Sequence, residues 1–436
     1  MDPVQIGLTG LALLFLLILL HVPIGVAMGV SGLIGTGLII GWDAALSLVA
    51  TEPTSAIANE GLGVVALFLL MGNLAFVGGL SGELYRLFQA LLGHRRGGLS
   101  LATIGSCAGF GAVCGSAVAT TATMTRVALP EMLSRGYSRS LASGTIAAGG
   151  TLGIIIPPSV VLILYGVLTE NSILALFVAS VVPGLIAVAL YVVAVMVRVR
   201  LEPSAAPTSP PVPWSQRLRT MRESWAVVTL ALVVGLGIYS GVFTVTEGAS
   251  LGATFALLLA LVRRRLDLAA FLTAMRETAK GTGLVFVMII GASIFGYFVS
   301  LSGMPGRVVD AIEALGWPPL AVLSLLMVLY LIGGALFDEI ALMILTLPFV
   351  YPLIESMGYD PIWWGIINVV VIELGMIIPP LGINVFVLQG IARDIPLATI
   401  YRGVTPFIVA DLVRLAVLIL FPPLALWLPT QLGWMT

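Results

Sequence analysis

Two stretches in this chain stand 222 residues apart and end a helix wherever they occur: Gly153-Ile-Ile-Ile-Pro157-Pro158 and Gly375-Met-Ile-Ile-Pro379-Pro380. Proline lacks an amide hydrogen and its ring strikes the preceding turn, so a pair of them frees several carbonyls. Each pair is embedded in apolar sequence. In hydrocarbon, such backbone persists only where protein buries it or a polar cavity faces it. The fold must therefore enclose two broken helices at its centre.

The spacing recurs upstream to within two residues. Pro130-Glu-Met-Leu-Ser-Arg-Gly136-Tyr137 matches Pro352-Leu-Ile-Glu-Ser-Met-Gly358-Tyr359, Leu80-Ser81-Gly82 matches Leu301-Ser302-Gly303, and Gly61-Leu-Gly63 matches Gly281-Thr-Gly283. Four matches in one order mark a duplication. Between the halves, Glu202–Pro213 is rich in Pro and Ser, and five arginines lie over 198–223. It reads as a polar loop that neither spans nor packs as a helix interior.

The chain is 59% hydrophobic and 9% charged, against roughly 25% charged in a soluble domain. Apolar runs such as Val4–Leu20, Ile173–Val197 and Val404–Leu428 suit the roughly 17–25 residues of a bilayer-crossing helix. The first run has no basic residue ahead of it and no small-residue cleavage site, so it reads as a span rather than a leader. Cys107 and Cys114, seven apart in an apolar stretch, read as packing residues on one face. A net charge of −1 calls for no nucleic-acid partner.

Lys and Arg gather in the cytoplasmic loops of membrane proteins. Putting Arg95, Arg96, Arg135, Arg139, the linker arginines, Arg263–Arg265, Lys280 and Arg393 on one side requires two re-entrant hairpins, with tips near Gly115 and Gly333. Ten crossings remain, five per half, and an odd number inverts the second half. The expected organisation is an all-α polytopic membrane protein in three parts. The first is a repeat over residues 1–197, with a hairpin over about 98–133 and a broken helix over about 140–167. A cytoplasmic linker covers 198–224. The second repeat covers 225–436, with a hairpin over about 318–354 and a broken helix over about 361–390. Both termini fall outside.

Half-helix N-termini can face an anion, and freed carbonyls and hydroxyls can coordinate Na⁺, which is why inverted-repeat carriers place sites at such breaks. Asp338 and Glu339 at the second tip are costly at membrane depth unless they serve a cation, a proton or a partner, and Asp338 is the first choice for a cation. Glu373 has two readings, a helix-facing hydrogen bond or a role in transport. Arg126 either attracts an anionic solute or snorkels to the basic side. Asp411 and Arg414, three residues apart, pair with each other. No phosphate-binding loop, metal-ligand spacing or nucleophile–base arrangement is present, so neither ATP-driven pumping nor an enzyme is indicated.

At Gly115–Gly136, Gly144–Gly166, Gly333–Pro348 and Gly358–Gly390 the sequence resembles the large membrane subunit of tripartite ATP-independent periplasmic (TRAP) transporters, carriers of organic acids such as dicarboxylates and sialic acid. The resemblance implies a sodium-coupled importer of the elevator type in the bacterial or archaeal inner membrane. It implies as partners a small four-helix membrane subunit and a soluble periplasmic substrate-binding protein. Carried over, one Na⁺ site joins Gly115 and Ser116 to Gly150, Thr151, Gly153 and Pro157; the other joins Gly333 and Asp338 to Gly375, Pro379, Gly382 and Asn384. Thr120, Arg126 and Ser159 are the candidate solute contacts, and Na⁺ is the coupling ion with no other cofactor. The first tip departs from the family's run of serines, reading Ser116-Ala-Val-Ala-Thr120. The alternative is a stand-alone carboxylate or ion carrier of related hairpin architecture, needing no binding protein.

Overall fold

The computed structural model describes residues 2–208 and 212–434, and among them every regular element is helical. The first half comprises α1 (Pro3–Leu19), α2 (Ile24–Ile40), α3 (Trp42–Ala58), α4 (Glu60–Val77), α5 (Leu80–Leu92), α6 (Gly98–Cys114), α7 (Ala117–Ser134), α8 (Arg139–Ile155), α9 (Val160–Leu168) and α10 (Ile173–Leu201). Then come α11 (Trp214–Glu223), α12 (Trp225–Tyr239), α13 (Val245–Val262), α14 (Leu268–Ser302), α15 (Met304–Ala314), α16 (Pro319–Leu336), α17 (Glu339–Ser356), α18 (Pro361–Gly375), α19 (Ile383–Ile391), α20 (Leu397–Leu420) and α21 (Pro423–Gln431).

The duplication is visible helix by helix. The hairpin α6–α7 corresponds to α16–α17, and the broken helix α8–α9 to α18–α19. One difference sits early in each half. Asn59 stops the chain between α3 and α4, its side chain accepting from Gly61 N at 2.9 Å, whereas the equivalent stretch in the second half runs on unbroken as the 35-residue α14.

Eight helices among the described residues are long and apolar enough to cross a membrane, counting α8 and α9 as one span. That span is 83% buried within the protein, against 39–56% for the others. The broken helix is therefore core, and lipid meets the outer helices. Small residues let backbones approach where no hydrophobic force drives helices together. A Cβ at Gly25 of α2 would come within 2.6 Å of the Val287 carbonyl of α14, and Gly144 of α8 abuts Gly403 of α20 just as closely. Across the halves, Arg263 at the end of α13 pairs with Glu83 on α5 and donates to the Gly78 carbonyl at 3.1 Å.

Two expectations are corrected. The segment 198–224 is not a continuous loop: α10 stays helical through Leu201, and Trp214–Glu223 forms α11. Proline density over 203–213 ends the first helix but permits a second. The second hairpin turns at Phe337 and Asp338, four residues beyond Gly333. Gly333 lies inside α16, where a Cβ would come within 2.6 Å of Leu342 on the returning arm, so that glycine serves arm packing.

Candidate functional site

At the first tip, Gly115 takes a left-handed conformation (φ 65°) that closes α6, and Ser116 opens α7 by accepting from Ala119 N at 3.4 Å. Thr120 Oγ1 donates back to the Ser116 carbonyl at 2.8 Å. The broken helix lies directly against this turn. A Cβ at Gly153 would sit 2.7 Å from the Ser116 carbonyl and 2.8 Å from Thr120 Oγ1, and one at Gly115 would sit 2.9 Å from the Pro158 carbonyl. Only glycine admits this approach. Ser159 then opens α9, accepting from Leu162 N at 3.3 Å. Gly115, Ser116, Thr120, Gly153, Pro158 and Ser159 are thus one interlocked cluster, with Gly150 against Thr121 on its flank.

The second half repeats the plan with different chemistry. Asp338 stands 222 residues after Ser116 and plays the same part, capping α17 through Ile340 N at 3.1 Å. A Cβ at Gly375 would come within 2.6 Å of Gly334 Cα, so tip and break again meet through glycines. Beyond the prolines, Gly382 (φ 58°) donates to the Ala335 carbonyl at 3.4 Å, and Asn384 N donates to the Met376 carbonyl at 3.2 Å. The carbonyls of Met376 and Ile378 both crowd the position a Gly382 side chain would need. Both Pro-Pro bonds are cis.

Two buried polar atoms beside the breaks, apart from the tip carboxylate of Glu339, lack hydrogen-bond partners among the described residues. Asn384 is fully buried; its Nδ2 donates to the Ala147 carbonyl at 3.3 Å, which leaves Oδ1 an acceptor with no donor. Thr121 Oγ1, against Gly150, has no partner either. In the sequence the Thr121 hydroxyl is one of several beside Ser116, Thr120, Thr123 and Thr125, and such hydroxyls are ordinary packing groups on a membrane helix. The two breaks differ in access: Pro157, Pro158 and Ser159 are buried, while Pro379, Pro380 and Leu381 are exposed.

Other expected residues are placed elsewhere. Arg126 lies on the exposed face of α7, ten residues past the tip, or roughly 15 Å along the helix. Glu339, not Asp338, is the buried carboxylate at the second tip, and its Oε2 has no hydrogen-bond partner among the described residues; Asp338 is half-buried. Thr151 points its hydroxyl away from the first tip, 2.8 Å from Glu373 Oε1 and 3.2 Å from the Tyr191 hydroxyl. The expected pair is present, Arg414 Nη2 lying 3.0 Å from Asp411 Oδ1, but the same nitrogen donates to Glu373 Oε2 at 2.8 Å, and Tyr191 donates to Asp411 at 2.6 Å. Of Glu373's two readings, the geometry supplies the hydrogen-bonding one.

A cavity of about 380 Å³ opens between Thr169 and Glu170 after α9, Tyr297 and Ser300 on α14, and Tyr351 on α17. It contains neither break and lies on the seam between α14 and the second hairpin.

Residues 11–424 match the family model described as "Tripartite ATP-independent periplasmic transporter, DctM component". The chain is 30% identical to the C4-dicarboxylate TRAP transporter large permease protein DctM of Vibrio cholerae, over 97% of this chain and 98% of that one. It is 31% identical to the isethionate TRAP transporter permease protein DctMQ of Oleidesulfovibrio alaskensis, over 90% of this chain but 61% of that longer one. Its fold is similar to the crystal structure of the Alcanivorax borkumensis YdaH transporter, with a TM-score of 0.63 at 17% identity over 90% of both chains.

Proposed function

This chain belongs to the DctM-component family of tripartite ATP-independent periplasmic transporters, and from that membership we propose that it carries a small organic acid across the inner membrane, driven by a sodium gradient. It is a large permease subunit and not an enzyme. The observation that carries the coupling proposal is Asn384 Oδ1, a fully buried acceptor with no donor, two residues past Gly382, where the carbonyls of Met376 and Ile378 crowd the chain. An unpaired buried acceptor costs about 1–3 kcal/mol. A sodium ion relieves that cost, and an anion does not. The orphaned Thr121 hydroxyl beside Gly150 supports a second ion at the first break.

The solute is proposed as a small organic anion because relatives are named for C4-dicarboxylate and isethionate. Interlocked hairpins and broken helices suit one moving body, with the α2–α14 and α4–α13 pairs as its frame. The exposure of Pro379–Leu381 beside the burial of Pro157–Ser159 is the asymmetry expected when one face of the carrier is open. The longer relative DctMQ, of which this chain spans 61%, supports a small membrane subunit as a partner, and the family's description supports a periplasmic binding protein. By the basic bias, the loops bearing Arg96, Arg139 and Arg264 face the cytoplasm and both termini face the periplasm.

The test is reconstitution in liposomes under an inward sodium gradient, with and without the two partners. Concentrative uptake is expected only with all three components, and an ionophore that collapses the gradient should abolish it even with ATP present. Concentrative uptake by the purified chain alone would favour the stand-alone carrier.

A further inference from the structure

We propose that α11 is an in-plane anchor that binds the anionic lipid surface where α12 enters the membrane. Its outward face carries Trp214, Leu218, Met221 and, just past its end, Trp225, spaced by four, three and four residues, all between 47% and 71% exposed. At 100° per residue the three on α11 fall in one stripe about 60° wide, and Trp225 follows it across the bend. The opposite side is turned toward the protein: α11 packs on α5, with Arg217 beside His94, and Thr220 and the exposed Gln216 line a cleft with Gln89 and Gly93. The stripe is therefore the face left over, and its position selects what covers it.

That position is the mouth of a membrane span. The axis of α11 bends 55° from that of α12, so the helix leaves the direction of the span at the bilayer boundary. Tryptophans at both ends of the stripe suit the headgroup level, where an aromatic body and a polar edge are both satisfied. Arg222 borders the stripe on its free side and Arg219 lies one step further round, both exposed, and on the other border Arg217 lies over the Trp214 ring at 5.0 Å. Glu223, paired with Arg219, is the acidic residue of the helix, so the surface is basic. An apolar stripe edged by arginines is complementary to anionic headgroups above acyl chains. Because α11 rests on α5, which leads into the first hairpin, the anchor also holds the base of that hairpin at the membrane surface.

The experiment uses the full chain in nanodiscs of phosphatidylcholine, alone or mixed with phosphatidylglycerol, and a nitroxide on Leu218→Cys or Gln216→Cys. Cys107 and Cys114 are buried, which keeps the labelling background low. The label at 218 should collide with oxygen in preference to a water-soluble nickel chelate, and that at 216 the reverse. Each arginine near an anionic surface contributes about 1 kcal/mol, about fivefold. The pair Arg219→Gln and Arg222→Gln should therefore lower the lipid-inserted fraction in the anionic discs by an order of magnitude. Should Leu218→Cys fail to fold, Met221→Cys reports the same face. Equal access of the chelate to 218 and 216 would overturn the anchor, and so would equal insertion in both lipid compositions. A label at 218 shielded from both reagents, the result of a protein covering the stripe, would overturn it too.

Discussion

Thr151 on α8 donates its hydroxyl to Glu373 on α18 at 2.8 Å, and the two residues stand 222 apart, the interval between the Pro-Pro motifs. Repeat-equivalent side chains touch only where the pseudo-twofold axis passes between them. The axis therefore runs through a cluster in which Arg414, Asp411, Glu373 and Tyr191 are all at most 1% exposed. Each half contributes an approach to a break, and α20 supplies the arginine that neutralises part of the charge.

That cluster is predicted to hold the two broken helices together. Arg414→Met leaves Glu373 and Asp411 buried without their cation, and breaking such a pair costs about 3–5 kcal/mol. Thermal unfolding of the purified chain should show a large fall in Tm. Glu373→Gln keeps an acceptor for Thr151 and leaves Arg414 paired with Asp411, so its effect should stay within about 1 kcal/mol. An unchanged Tm for Arg414→Met would remove the structural role.

The glycines at the breaks should be intolerant, and repeat glycines with open space around them should not. Gly153→Ala and Gly375→Ala drive a methyl to 2.7 Å from the Ser116 carbonyl and 2.6 Å from Gly334 Cα. Backbone cannot yield as a side chain does, so overpacking of about 1–3 kcal/mol follows and uptake by the reconstituted complex should fall sharply. Gly63 and Gly283 are also repeat-equivalent, yet nothing lies within 4 Å of an added methyl at either. Gly283→Ala should leave uptake unchanged; loss there equal to that of Gly153→Ala would contradict the packing argument.

Sodium dependence should separate Asn384 from Asp338. Asn384→Leu removes the orphaned acceptor, and a bond from an acceptor to a charged group contributes about 1.5–3 kcal/mol. The sodium concentration for half-maximal uptake should rise by about tenfold or more at unchanged expression. Asp338→Asn keeps an oxygen for the α17 cap while removing the charge, and it should impair uptake more than expression. Normal sodium dependence in both variants would assign the two residues to structure alone.

Orientation follows from labelling. Arg96→Cys, Arg139→Cys, Arg217→Cys and Arg264→Cys should all resist an impermeant thiol reagent added outside intact cells and react after the membrane is opened. Outside labelling at any one of them would break the proposed threading.

Much of this architecture is legible in the chain because its signals are local. Paired prolines, the Gly-Ser turn at 115–116 and the long apolar runs each act within one or two helical turns, so their spacing alone implies hairpins, breaks and a duplication. Local signals also mislead. Gly333-Gly334 reads as a turn, yet both glycines serve close packing and the chain turns at Phe337. The stripe of α11 is present in the spacing of Trp214, Leu218 and Met221, but the prolines before it are a loop signal.

Only the tertiary structure decided which side chains meet. Glu373, Arg414 and Thr151 come from three helices, and no spacing along one helix reports the angle at which another crosses it. The same holds for Asn384, whose amide reaches Ala147 across 237 residues and so leaves its oxygen without a donor. Helix breaks are written by residues whose own backbone forbids continuation. The groups that face a bound ion are selected by what the neighbouring helices leave unsatisfied, which exists only once they have packed.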